Sequence, residues 1–141
     1  MNWITGFVVT SLGLATSACA VRPYPSSSEA AEAIARLPVL GPERLQVIAQ
    51  ISCKPGATRF DFPIGEYIPT SKDKTGIYYM ARSGIYVRPV SAGYFAKGGF
   101  IVGEDGVPSS FFFQLPGLSN VDFPLTDCQP SNAASLIRVS P

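Results

Sequence analysis

The 141 residues include three cysteines and no histidine, and together these facts bound the chemistry open to the chain. Without imidazole the commonest general base is missing, as are Ser-His-Asp and Cys-His nucleophile arrangements and HExxH metal sites. Cys53 and Cys128 are far apart in sequence and have no histidine to join them, so they cannot build a four-ligand zinc site. No GxxxxGK[ST] phosphate loop occurs, and Gly93 to Gly99 lacks the strand–helix setting of a dinucleotide fingerprint. The catalytic option left is a carboxylate pair acting on a glycan, with Glu66 and either Glu104 or Asp105 as candidates. Such residues are more often solvated turn positions, so no catalytic residue, metal ligand or cofactor is assigned.

Aromatic side chains are the more suggestive class: Tyr67, Tyr78, Tyr79, Tyr86, Tyr94, Phe95, Phe100 and Phe111 to Phe113. In an alternating strand Tyr78 and Tyr79 must face opposite sides, as must Phe111 and Phe112. One of each pair leaves the core unless a second layer covers it. Exposed tyrosines such as Tyr78 and Tyr86 would suit sugar stacking or a protein partner, whereas covered ones would be cross-strand packing.

The third cysteine, Cys19, belongs to a different context. Trp3 to Ala15 carry no charge, and only small residues run from Thr16 to Ala20. That stretch is too short for a bilayer-spanning helix, which needs about 20 residues, but it has the length of a signal-peptide core. Thr16-Ser17-Ala18-Cys19 resembles a bacterial lipobox, with Thr16 in place of the usual Leu. The resemblance implies lipidation of Cys19 and, with Ala20 rather than Asp following, delivery to the outer membrane facing the periplasm. Ala18-Cys19-Ala20 also fits an A-x-A cleavage site, which would leave Val21 as the first residue of a soluble periplasmic or secreted protein. The expected organisation is a signal peptide over 1–18, lipid attachment and a Pro/Ser tether over 19–28, and one β-rich domain over 29–141.

Either cleavage leaves Cys53 and Cys128, which read as one disulfide in an oxidising compartment. Closing a loop of about 76 residues would stabilise the fold by roughly 4.5 kcal/mol on the chain-entropy model. Eleven Lys and Arg nearly balance ten Asp and Glu without clustering, so no footprint for nucleic acid is present.

The elements that must position these residues are short. Ser26-x-x-Glu29 is a capping box, followed at helical spacing by Ala30, Ala33, Ile34 and Leu37 and stopped by Pro38. From Arg44 the period becomes two, with Leu45, Val47, Ala49, Ile51 and Cys53 on one face. Thr75-Gly76-Ile77-Tyr78-Tyr79 echoes as Ser83-Gly84-Ile85-Tyr86-Val87, the spacing of consecutive meander strands. Further strands are expected over 100–102, 110–115 and 136–139. Asp-Phe-Pro occurs at Asp61 to Pro63 and again at Asp122 to Pro124, by chance or as matching loops beside the disulfide. The predicted fold is mainly β: a small antiparallel sandwich or barrel of about six to eight strands, with one short N-terminal helix.

Two resemblances accompany this reading. Gly65-Glu66-Tyr67-Ile68-Pro69 through Asp73, Gly76, Tyr78, Tyr79 and Ala81 resembles a pattern in small uncharacterised bacterial lipoproteins, which implies no function. The cysteine placement, with Ser83-Gly84 and Lys97-Gly98, is similar to C-type lysozyme inhibitor lipoproteins. In that family two loops plug the lysozyme active site, which implies that Ser83 and Lys97 contact its catalytic carboxylates. The leading expectation is an envelope lipoprotein acting as a non-enzymatic binding or accessory module. Its partners would be the membrane, through lipid, and an envelope protein or glycan, but no nucleic acid. An inhibitor or a glycan hydrolase is the alternative.

Overall fold

A computed structural model describes residues 25–115 and 117–140. The expected signal peptide, the lipidation site Cys19 and most of the tether lie outside the described residues. Helix α1 (Ser27–Ala35) forms where the capping box predicted it. Ser26 Oγ accepts from the Glu29 amide, and Glu29 Oε1 accepts from the Ser26 amide. Ser27 and Ser28 are therefore helical rather than part of a tether ending at 28.

The rest is β structure. The first half of the chain forms β1 (Arg44–Val47), β2 (Ile51–Cys53), β3 (Arg59–Phe62), β4 (Gly65–Asp73), β5 (Gly76–Ala81) and β6 (Ile85–Arg88). The second half adds β7 (Tyr94–Val102), β8 (Pro108–Gln114), β9 (Val121–Pro124), β10 (Cys128–Gln129) and β11 (Ile137–Ser140). Every pairing is antiparallel. The mainly-β expectation holds; the closed barrel or sandwich of six to eight strands does not. The described residues form eleven strands in one open sheet.

The difference has a physical origin in kinks. The single strand expected over 44–53 breaks at Ile48 to Gln50, giving β1 and β2, while Leu45, Val47, Ile51 and Cys53 still face inward. β3 and β4 are divided at Pro63 and Ile64, and β5 and β6, expected as consecutive strands of a meander, do not pair with each other but both pair with β7, on either side of the break at Arg82 to Gly84. Pro63 fits such a break because it cannot donate to a ladder. The Asp-Phe-Pro motifs are strand ends rather than loops, closing β3 and β9 with Phe62 and Phe123 turned toward the core.

The open sheet folds over its apolar face. Phe60 of β3 stacks on Phe113 of β8 with centroids 4.2 Å apart, although β6 and β7 lie between those strands in the sheet. Phe62, Phe100, Phe111, Tyr67 and Tyr79 fill the same interior, all at most 1% exposed. Helix α1 covers part of the outer face. There Ile34 of α1, with Leu37 beside it, packs on Ile68, Tyr78, Met80, Ile101 and Phe112. Tyr79 and Phe111 are thus inner and Tyr78 and Phe112 outer, with α1 the second layer.

Candidate functional site

Beside α1, β2, β3, β6 and β7 present an outer face of half-buried side chains. Register places Gln129, Ser52, Asp61, Tyr86 and Phe95 as successive cross-strand neighbours, one from each of five adjacent strands. Alternation explains their direction: Ile51, Cys53, Phe60, Phe62, Ile85, Val87 and Ala96 are buried, so the residues between them point outward. Gln50, Asp61, Pro63, Ser83, Gly84, Tyr86 and Phe95 line a shallow groove of about 290 Å³ on this face.

Local contacts hold these side chains in place. Ser52 Oγ donates to Asp61 Oδ1 at 2.8 Å, and Arg59 Nε approaches the same oxygen at 3.0 Å. Tyr86 and Phe95 rings pack at 5.2 Å, and the Arg88 guanidinium carbon sits 5.3 Å from the Tyr86 centroid. Gly93 makes room for the phenol, since a Cβ built there would lie 1.7 Å from Tyr86 Oη. The amide of Phe95 donates to the Pro25 carbonyl, so the segment entering α1 leaves from one end of the row.

Of the four predicted binding residues, the structure brings two together. Tyr86 forms part of the groove floor, and Ser83 lines it from the β5–β6 turn. Tyr78 lies apart from the groove: it packs with Ile34 of α1 at 8% exposure, and its hydroxyl donates to Asp73 Oδ2 at 2.8 Å. Lys97 is half-buried within β7, opposite Gln114, rather than on a loop. The paired projecting loops implied by the inhibitor resemblance are therefore absent at Lys97.

The carboxylates considered for glycan cleavage do not converge. Val102, Ile77 and Lys72 share one cross-strand level, with Glu104 just beyond it. Glu66 lies six residues back along β4 from Lys72, about 20 Å at strand rise. Its Oε1 accepts from Arg82 Nε at 2.8 Å, while Asp105 Oδ1 caps its own turn by accepting from the Val107 amide. Glu104 instead borders a second crevice with Glu43, Lys72, Asp73, Lys74 and Tyr79. Burial, with Glu43 adding to it, pushes the Tyr79 phenol up to about 12. Hydrogen bonds from Thr75 and Tyr78 hold the Asp73 carboxyl below its ordinary range.

Sequence reading placed Phe95 only among the aromatics and missed Arg59, Asp61 and Arg88. The signal was present in Arg59-Phe60-Asp61-Phe62, whose alternation puts both charged residues on one outward face. Compared with known protein families, curated proteins and solved structures, the chain finds no match.

Proposed function

We propose that this chain is a non-enzymatic binding module of the bacterial cell envelope, exported and held to the membrane by lipid at Cys19. One observation carries the binding reading. The outer face beside α1 bears a positioned row of polar and aromatic side chains, Ser52, Asp61, Tyr86 and Phe95, where an unused sheet face would need only scattered solubilising residues. The Cys53–Cys128 disulfide supports an oxidising compartment. The exit of the chain beside Phe95 fits tethering close to this face.

Cosedimentation of the full chain with isolated envelope material tests the binding reading. Phe95→Ala and Tyr86→Ala are expected to reduce retention severalfold while the fold melts cooperatively. Retention unchanged in both variants rejects this face. Mass spectrometry of the mature N-terminus tests the anchor separately: lipid on Cys19 supports it, and an unmodified Val21 removes it.

A further inference from the structure

Arg59 and Arg88 stand directly opposite one another across the β3–β6 pair, on the same outer face. Like charges in that position destabilise a sheet. The conflict is only half relieved. Asp61 pairs with Arg59, whose Nη2 donates to Oδ2 at 3.3 Å while Nε lies 3.0 Å from Oδ1 without hydrogen-bond alignment. Ser52 fixes Asp61 by donating to it, so the carboxylate is committed to Arg59 and cannot also serve Arg88. Among the described residues Arg88 meets no carboxylate; its guanidinium is parked over the Tyr86 ring. Two guanidiniums and one carboxylate leave a net positive site. A local arrangement that works against stability, yet is braced by neighbours, is expected where a ligand resolves it.

We infer that this face takes an anionic oligosaccharide, the carboxylate or phosphate of one sugar held at the Arg88 guanidinium beside Arg59 and the ring of its neighbour lying in the Tyr86–Phe95 groove. The inference rests on the binding-module reading and names its ligand class. Asp61 occupies one edge of Arg59, so the free fork is that of Arg88, which matches carboxylate or phosphate bidentately. The Arg59–Arg88 pair lies two residues along the strands from the Asp61–Tyr86 pair, about 7 Å, and the groove opens on the other side of that row, toward Gln50, Pro63 and Ser83, so the acid group and the ring in the groove belong to adjacent sugars of one chain. Gln50 and Ser83 line the groove and can meet ring hydroxyls, while Phe95 and Tyr86 supply the apolar surface.

The test is calorimetric titration of the full chain in neutral detergent. The probes are tetragalacturonate, its fully methyl-esterified form, a phosphorylated mannose oligosaccharide and vesicles of phosphatidylglycerol. Binding of either acidic saccharide is expected, weakening as salt rises, with the ester at least tenfold weaker. Which acidic saccharide binds identifies the acid group. Arg88→Gln is expected to weaken binding roughly tenfold or more, the scale of a hydrogen bond to a charged group. Arg138→Gln, on exposed β11, should leave it unchanged. Because Arg88 is exposed, unaltered melting of its variant confirms that the loss is not misfolding. No binding by either acidic saccharide overturns the inference, as does an ester that binds equally well. Binding of the vesicles alone, abolished by Arg88→Gln, assigns the face to a lipid surface instead. If envelope retention depends on Phe95 but is indifferent to Arg88→Gln, the module reading stands and the anionic ligand falls.

Discussion

Cys53 and Cys128 face each other in the β2–β10 register, with Cα atoms 3.9 Å apart, at the point where the last stretch of chain changes sides. β9 pairs with β8 at one margin of the sheet, whereas β10 and β11 pair with β2 and β1 at the other. A three-residue 3-10 turn, Leu125–Asp127, is all that separates β9 from β10. The Lys54 amide donates to the Asp127 carbonyl beside the bridge. The disulfide therefore fastens the segment that spans both margins. Replacing both cysteines by alanine is expected to lower unfolding free energy by about 2–5 kcal/mol. Denaturant titration would measure it, and hydrogen exchange should rise first at Ile137 to Ser140. A variant as stable as the parent would show that the margins hold without the bridge.

Helix α1 covers its part of the outer face through few residues, so its stability contribution is concentrated. Ala30 and Ile34 are its buried positions, with Ile34 1% exposed over Tyr78 and Phe112. Ile34→Ala should cost about 2–4 kcal/mol, the range for truncating a buried aliphatic side chain. Ser26→Ala removes only the N-cap and should cost about 1 kcal/mol. Chemical denaturation of the two variants gives the order; equal effects would mean that the helix is not held by Ile34.

Much of this was legible in the chain because local rules agree. The capping box, the alternation from Leu45 to Cys53 and the paired cysteines each depend on near neighbours or simple counting, and each appears where expected. The kinks were not legible. Leu45, Val47, Ala49, Ile51 and Cys53 keep one period through the break at Ile48 to Gln50, so alternation alone reports one strand. The site was half legible for a related reason. Tyr86 is recognisable as an outward residue of its strand, but its significance depends on Asp61 and Phe95, which only cross-strand register brings beside it. Tyr78 has the same alternation signature as Tyr86 and differs only in lying under α1, a tertiary fact. The four-residue strand Arg59 to Phe62 falls between turn-forming residues and is short enough to be overlooked.

Two glycines make opposite predictions. At Gly93 a Cβ would meet the Tyr86 phenol, a side-chain tip that can swing aside. Gly93→Ala should therefore fold, with a stability loss of about 1–2 kcal/mol, and displace Tyr86 from Arg88. At Gly99 a Cβ would lie 1.8 Å from the Tyr79 carbonyl oxygen of the paired strand β5, which cannot move without opening the ladder. Gly99→Ala should cost well over 3 kcal/mol or abolish folding. Circular dichroism melts distinguish the two, and similar melting of both variants would contradict this placement of the strands. For Gly93→Ala, loss of ligand retention at near-normal stability would locate the defect at the groove.

Alkaline pH offers a test of the interior. Tyr67 is 1% exposed, its hydroxyl donates to the Pro63 carbonyl at 2.8 Å, and burial pushes its phenol far above the ordinary value. Tyr79 is pushed up to about 12 by burial and by Glu43. An unfolded chain releases these protons near pH 10, whereas the folded chain keeps them. The unfolded state then binds fewer protons, so stability is complete below about pH 10 and declines as pH rises beyond it. Each retained proton adds about 1.4 kcal/mol per pH unit to that decline. Tyr67→Phe removes one such proton and leaves the Pro63 carbonyl without its donor, which should lower neutral-pH stability by about 1 kcal/mol. Above pH 10 its stability should fall less steeply than the parent's, so the two curves converge. Urea unfolding at pH 7, 10 and 11 measures both effects, and parallel curves throughout would mean that Tyr67 ionises as freely in the folded protein as in the unfolded chain.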